Sequence, residues 1–552
     1  MSFVVHPRLR HERVEDRQYQ RVIADHASRE NVLVVLPTGL GKTAVALRLM
    51  AEVLERRPDR SVLFLAPTRP LVEQHAESVR ANLVAPEPLV FTGAIPPDRR
   101  KDLLSPPQVV IATPQVIAND VRSGALDLSI FSLVVFDEAH RASGDYPYVM
   151  LGGALRELSG VRVLGMTASP GYDKSKILEV LRNLGISPSS GIEVRTQQSP
   201  DVAPYFHGTE ITPVYVDNPP QILEIASHLR ASFQRQVERL CKGGHLPDPE
   251  RVGRGDLLQL GLRLRQAVAS ARASGGQPDP YVWDAVNAQA VAMKASHAIE
   301  MAESQSLEAL RSFFERLEGG RHRPGGKPPK LSPSDRTFLK DPDIEEVRRL
   351  LEKVDLEHPK VAKVVEVVRD ELLKHPTSRV LVFSHFRDTA KVITEALSNA
   401  PGGIVHPARF VGQADKGVSD RGLSQKEQVA VLDRFRGGEL NCLVATSVAE
   451  EGLDIPNTDL VVFYEPVPSE IRTIQRRGRT GRFRSGEVVV LLARGSRDVP
   501  SQYSARGKEH KMERLLQELQ REMRVSESRR SGGGERPAPR PPGQSQLEDF
   551  GR

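Results

Sequence analysis

The chain has 552 residues, with 77 Lys and Arg against 71 Asp and Glu, a net charge of +6 that is too small to name a polyanionic partner by itself. At about 100–200 residues per domain, the length predicts about three to five units with cores of their own. Apolar residues at 39%, charged residues at 27%, only two cysteines (Cys241 and Cys442) and no apolar run of roughly 18 residues exclude a disulfide framework, a Cys-rich zinc site and a membrane helix.

Met1 to Arg10 lacks the apolar core of a signal peptide, so a cytoplasmic location is expected. Up to about residue 205, short β-branched runs alternate with helical patterns. Val32 to Leu36, Val62 to Ala66, Val109 to Ala112, Leu133 to Phe136 and Val161 to Gly165 are the runs. Continuous apolar strands separated by helices predict a parallel sheet covered on both faces. From 206 to 355 the texture is helical, with Ile222, Ile225, Leu229, Phe233 and Leu240 at helical spacing and a second such series from Trp283 to Leu317. A Gly- and Pro-rich stretch with Arg321, Arg323, Lys327 and Lys330 interrupts it and reads as a solvated loop or a backbone contact. Asp341-Pro342 marks a new helix start. From 356 to 525 the strand–helix alternation returns, in Val380 to Phe383, Phe410-Val411, Cys442 to Ala445, Leu460 to Phe463 and Val488 to Leu492. Cys442 reads as a core residue. Residues 526–552 are Ser-, Gly-, Pro- and Arg-rich, the composition of a disordered tail. The expected fold is α/β: two parallel-sheet domains, 1–205 and 356–525, with an all-helical insert between them and a tail.

Pro37-Thr38-Gly39-Leu40-Gly41-Lys42-Thr43 follows the first strand and opens a helix. Gly39 and Gly41 let backbone N–H groups turn inward on phosphates, and the helix N-terminus adds positive potential. Lys42 can reach the outer phosphates and Thr43 can ligate Mg²⁺. Leu36 stands where the general phosphate-loop pattern has glycine. Asp137-Glu138-Ala139-His140 closes the strand Leu133 to Phe136. Asp137 is placed to hold Mg²⁺ and Glu138 to activate water. His140 couples hydrolysis to nucleic acid or merely packs. In the second α/β unit, six arginines and no acid lie between Arg472 and Arg484. Arg479 and Arg482, three apart on one helical face, can both reach a γ-phosphate if the two units close.

The order of these motifs resembles that of superfamily 2 helicases, from Arg17 to Arg482. Gln20 resembles that family's adenine-reading glutamine. Ala66-Pro67-Thr68-Arg69-Pro70-Leu71-Val72 and Ala112-Thr113-Pro114-Gln115 resemble its strand-binding motifs, and Thr167-Ala168-Ser169-Pro170 the motif that couples hydrolysis to movement. Val382 to Arg387 and Ala445 to Asp454 resemble the motifs of the second motor. The resemblance implies ATP and Mg²⁺ as cofactors. It implies nucleotide contacts from Thr38, Leu40 and Asp454, strand contacts from Thr68, Arg69, Thr113, Ser384 and Thr446, and a water- or phosphate-placing role for Gln475. The helical insert resembles that of archaeal Hef and its relative FANCM, and also the RIG-I-like and Dicer helicases.

By resemblance to Hef, the expected substrate is forked or branched DNA, traversed 3′ to 5′ by a monomer associated with the nucleoid. No XPF-like nuclease is expected, because the chain stops too early for one. Gln544, Leu547 and Phe550 resemble a peptide that binds the sliding clamp PCNA, with Gly551 in place of the second aromatic. Two rival readings stand beside this one: a duplex-RNA-stimulated ATPase, and a clamp-tethered scaffold that moves nothing.

Overall fold

The computed structural model describes residues 2–104, 108–171, 173–196, 198–205, 209–277, 279–319, 331–412, 422–446, 458–466 and 486–531. Two parallel sheets carry the fold. The first contains β1 (Val32–Val35), β2 (Ser61–Leu65), β3 (Leu89–Phe91), β4 (Val109–Ala112), β5 (Phe131–Asp137), β6 (Arg162–Thr167) and β7 (Ile192–Val194). Their order is β3-β4-β2-β5-β6-β1-β7. Both faces are covered, so β1, β2, β4 and β5 are buried at every residue, which is why they appear as unbroken apolar runs. One face packs on the helices Gln18–Arg29, Lys42–Arg56 and Arg69–Asn82 through Tyr19, Ile23, Val45, Leu49, Val72 and Ala76. The other packs on Pro114–Arg122, Pro147–Arg156 and Lys174–Asn183 through Ile117, Tyr148, Leu151, Ile177 and Leu181. Each fully buried aliphatic side chain contributes about 1.5–3 kcal/mol.

The second sheet contains β8 (Thr209–Val216), β9 (Val380–Phe383), β10 (Pro407–Phe410), β11 (Cys442–Ala445), β12 (Leu460–Phe463) and β13 (Gly486–Ala493), in the order β10-β11-β9-β12-β13-β8. Here the structure differs from the sequence reading, in which 206–355 is helical throughout. Thr209–Val216 pairs with β13 along its whole length, from Thr209↔Gly486 to Val216↔Ala493. The chain therefore enters the second α/β domain before the insert begins, and the insert is an excursion from that domain. β8 escapes a hydrophobicity reading because it is an edge strand: it mixes Thr209, Glu210 and Thr212 with its apolar residues and tolerates Pro213, which a central strand would not. Cys442 lies fully buried in β11, as expected of a core residue.

The insert consists of the helices Pro220–Lys242, Arg254–Ala273, Pro280–Ser304, Leu307–Leu317, Pro333–Leu339 and Pro342–Lys353. Asp279, Ser332 and Asp341 cap three of them, each followed by proline at the first helical position. Ile222, Ile225, Leu229, Ile299, Leu310, Phe313 and Phe338 form its larger core. The insert is bonded to the second motor through buried polar groups. Tyr464 Oη donates to Gln305 O at 2.6 Å, and Gln305 Nε2 donates to Glu465 Oε2 at 3.3 Å.

The helix Asp498–Ser531 leaves the second motor and returns to the first. Its Met512, Leu516 and Leu519 are buried in the first sheet's core. It continues past residue 525, into the stretch whose composition predicts a tail. The basic loop residues Arg321, Arg323, Lys327 and Lys330 lie outside the described residues.

Candidate active site

β1, β6 and β5 are adjacent, and their C-terminal ends carry the phosphate loop, Thr167-Ala168-Ser169 and Asp137-Glu138 respectively. Parallel strands place their carboxyl ends on one edge, so three motifs spread over more than a hundred residues converge there. Gly39 and Gly41 adopt φ of 91° and 79°, a left-handed conformation that a side chain strains. Gly41 is the N-cap of the Lys42–Arg56 helix, so the first N–H groups of that helix open toward the loop. A Cβ at Gly41 would lie 2.5 Å from Gln20 Nε2. Lys42 Nζ donates to Leu36 O at 3.1 Å, folded back across the loop. Thr38, Gly39, Lys42 and Thr43 are part-exposed, and Leu40 is buried.

Gln20 is 2% exposed and donates to Leu40 O at 3.2 Å, while its Oε1 is buried without a hydrogen-bond partner. Tyr19 Oη donates to the same carbonyl at 2.7 Å. The glutamine thus braces the phosphate loop and retains an acceptor.

Asp137 is buried, with Oδ2 2.9 Å from His75 Nε2. Burial works to raise its carboxyl pKa, but the His75 bond and the nearby Lys42 outweigh burial and hold it below the usual carboxylate range. Tyr148 Oη donates to Asp137 O at 2.8 Å and fixes the strand end. Glu138 follows in a left-handed conformation, φ 49° and ψ 50°. For a non-glycine residue this costs of order 1–3 kcal/mol and re-aims the side chain at the end of the strand. Glu138 Oε2 is buried without a hydrogen-bond partner, with His140 Nδ1 3.3 Å away.

His140 Nδ1 instead bonds Thr167 Oγ1 at 3.1 Å. The Thr167 hydroxyl donates its single hydrogen to Ser169 O at 2.9 Å, so Nδ1 is the donor and the tautomer is fixed. Ser169 N donates to the same hydroxyl oxygen at 3.2 Å. Two motifs that are separate in sequence thereby become one hydrogen-bonded unit. Ser169 Oγ continues it to Met512 Sδ at 2.8 Å, on the returning C-terminal helix.

A divalent cation and a nucleotide fit these residues. A buried carboxylate, a lysine and a threonine stand at the mouth of a loop whose glycines bare backbone N–H groups. Among the described residues no cluster of three His, Cys, Asp or Glu gathers to hold a metal, so the donor set here is the single carboxylate with Thr43.

The strand-contact candidates divide. Arg69 is exposed, and Thr68 caps the Arg69–Asn82 helix, accepting from Leu71 N at 3.5 Å. Thr113, Ser384 and Thr446 are buried at the ends of β4, β9 and β11. Asp454, Gln475, Arg479 and Arg482 lie outside the described residues, as do Gln544, Leu547 and Phe550. Sequence reasoning missed His75, whose only signal is a histidine six residues beyond Arg69.

Fold and motif order define the class: a protein of two parallel-sheet α/β domains of the DEAD/DEAH-box kind. The DEAD/DEAH box helicase family matches residues 17–177, and the helicase conserved C-terminal domain matches residues 361–484. The helicase domain of Hef from Pyrococcus furiosus is 40% identical, with a TM-score of 0.64 over 88% of this chain and 98% of that one. The chain belongs to the superfamily 2 helicases, in the group of Hef and FANCM. Similar proteins include MJ1505 of Methanocaldococcus jannaschii, named an ATP-dependent RNA helicase, at 36% identity over 94% of this chain. The ATP-dependent DNA helicase mph1 of Neurospora crassa is 32% identical over 87%, and the DEAD-box ATP-dependent RNA helicase FANCM of Arabidopsis thaliana is 35% identical over 87%. The chain spans 63%, 41% and 35% of the lengths of these three relatives. No helix among the described residues is long and apolar enough to cross a membrane.

Proposed function

We propose that the chain is an ATP-dependent DNA motor that acts on forked or branched DNA in replication-fork repair. The observation that supports it most is the bond from His140 to Thr167. It joins the segment that carries Asp137 and Glu138 to the motif that resembles the family's coupling element, and Ser169 extends the unit to a helix from the other motor. A scaffold does not require that linkage.

In this reading the loop N–H groups of Gly39 and Gly41, with Lys42, bind the phosphates, and Gln20 contacts the base. Thr43 and Asp137 hold Mg²⁺, which supplies charge neutralisation on the phosphates. Glu138 takes a proton from the attacking water, its orphaned Oε2 being the acceptor. Asp454, Gln475, Arg479 and Arg482 complete the site from the second motor, an assignment that rests on the sequence motifs. Thr68, Arg69, Thr113, Ser384 and Thr446 are assigned to the strand on the sequence motifs; Thr68 and Arg69 are accessible, and Thr113, Ser384 and Thr446 are buried. Backbone-directed contacts carry little base information, which suits a motor that runs on any sequence.

The name DNA helicase carried by mph1 favours DNA. The name RNA helicase, carried by MJ1505 and by FANCM of Arabidopsis thaliana, favours a second reading, a duplex-RNA-stimulated ATPase. Gln544, Leu547 and Phe550 are proposed to engage a sliding clamp, on sequence alone, with Phe550→Ala expected to remove clamp binding and spare ATPase. One experiment separates the readings: ATPase titrated at fixed salt against single-stranded, forked and four-way DNA and duplex RNA. Stimulation by duplex RNA alone would overturn the DNA assignment. Fork unwinding by Lys42→Ala at the wild-type rate would overturn the motor.

A further inference from the structure

Asp137 has a partner that none of the motifs accounts for. His75 lies 62 positions away in sequence, yet its Nε2 sits 2.9 Å from Asp137 Oδ2. Both side chains are buried, at 6% and 8% of their full exposure, so water does not compete for this bond. The His75 ring packs on Phe64 of β2, with centroids 4.2 Å apart and planes tilted by 39°. β2 is the hydrogen-bonded neighbour of β5, so the surface that orients the ring and the strand that carries Asp137 belong to one rigid sheet. An ionised carboxylate only accepts, so Nε2 carries the hydrogen. The arm that delivers it is the Arg69–Asn82 helix, whose N-cap is Thr68 and whose first residue is Arg69.

We propose that His75 is a positioning residue for the divalent cation. It occupies Oδ2 of Asp137, fixes the plane of the carboxylate and leaves Oδ1 for the metal. This rests on the reading of Asp137 as the metal-holding acid. Hydrogen-bonded partners of ligating carboxylates typically change metal affinity by about 10–100-fold when removed. Packing alone does not explain the contact, because an apolar ring would stack on Phe64 equally well and would take the side-chain donor from the buried Asp137, leaving it the backbone N–H of Glu138.

The test is a titration of Mn²⁺ into the full chain with a non-hydrolysable ATP analogue, read by paramagnetic resonance of the free ion. His75→Phe keeps the ring and removes the donor. It is expected to weaken Mn²⁺ binding by about 10–100-fold, with unchanged affinity for the analogue in EDTA. His75→Gln places an amide N–H near the Nε2 position and is expected to restore most of the binding. Melting curves check folding, and His75→Leu replaces His75→Phe if the phenylalanine is too large. Wild-type Mn²⁺ affinity in the folded variant without a donor overturns the proposal. So does equal weakening in His75→Gln, which would make the role steric. Asp137→Asn separates the two levels: if it binds Mn²⁺ normally, the reading of Asp137 itself fails. If it binds weakly while His75→Phe binds normally, only the role of His75 fails.

Discussion

Lys360 and Asp498, 138 positions apart, form an ion pair inside the seam where the insert meets the second motor. Lys360 is fully buried, and its ammonium also donates to Tyr464 O at 2.9 Å and Ser304 O at 3.2 Å, so each of its hydrogens has an acceptor. Asp498 Oδ2 also accepts from Ala493 N at 2.9 Å. The partners Ser304, Tyr464, Ala493 and Asp498 come from the insert, the residue after β12, the end of β13 and the start of the returning helix. Such a pair adds little net stability over apolar packing, but breaking it is expensive because one buried charge is left alone. Lys360→Met is expected to cost about 3–5 kcal/mol in chemical denaturation. Lys360→Met with Asp498→Asn, which keeps an acceptor for Ala493 and removes the orphaned charge, is expected to be more stable than Lys360→Met. Additive losses in the double variant would contradict the pairing.

The same seam predicts a pH dependence. His358 is buried, Nε2 donates to Glu303 O at 3.0 Å, and Nδ1 accepts from Lys360 N at 3.2 Å. Both nitrogens are satisfied only in the neutral ring. Burial, reinforced by the charge of Lys360, pushes its pKa down to about 3. The unfolded chain, with a histidine pKa near 6.5, binds the proton first. Stability is therefore full above about pH 6.5 and falls as the pH drops toward 3, by about 2 kcal/mol at pH 5. His358→Gln should flatten this slope; an unchanged slope would assign it to other groups.

Thr167 tests the coupling unit. Thr167→Val keeps the shape and removes the hydroxyl that joins His140 to Ser169. The orphaned partners are expected to cost about 1–3 kcal/mol. Base pairs unwound per ATP should fall more than ATP turnover does. A proportional fall in both would mean that the bond serves hydrolysis alone.

Glu138→Gln removes the proposed proton acceptor while keeping the size of the side chain. ATP turnover is expected to fall by about 10²–10⁴-fold, with nucleotide affinity preserved in equilibrium binding. A fall of less than about tenfold would move the acceptor role elsewhere.

Leu516 tests the returning helix. It is 2% exposed in the core of the first motor although it follows the second in sequence. Leu516→Ala is expected to cost about 2–5 kcal/mol where the site cannot collapse. Limited proteolysis should then cleave within 498–531 before either sheet is cut.

Some of this protein is local and therefore legible in sequence. The phosphate loop is a few residues whose conformations follow from Gly39 and Gly41, and Asp137-Glu138 closes a strand that its own apolar run announces. The two sheets follow from continuous β-branched runs, which only strands buried on both faces need. The rest depends on contacts with no periodic signature. β8 joins the second sheet because an edge was open there, not because its own residues are strongly apolar. His75 meets Asp137, Ser169 meets Met512 and Lys360 meets Asp498 across 62, 343 and 138 positions. A charge or hydroxyl that is ordinary on a surface gains its role only when folding removes water and leaves one partner in reach. The modest +6 said nothing of this, whereas the individual burial of Lys360, His75 and Asp137 sets what each of them does.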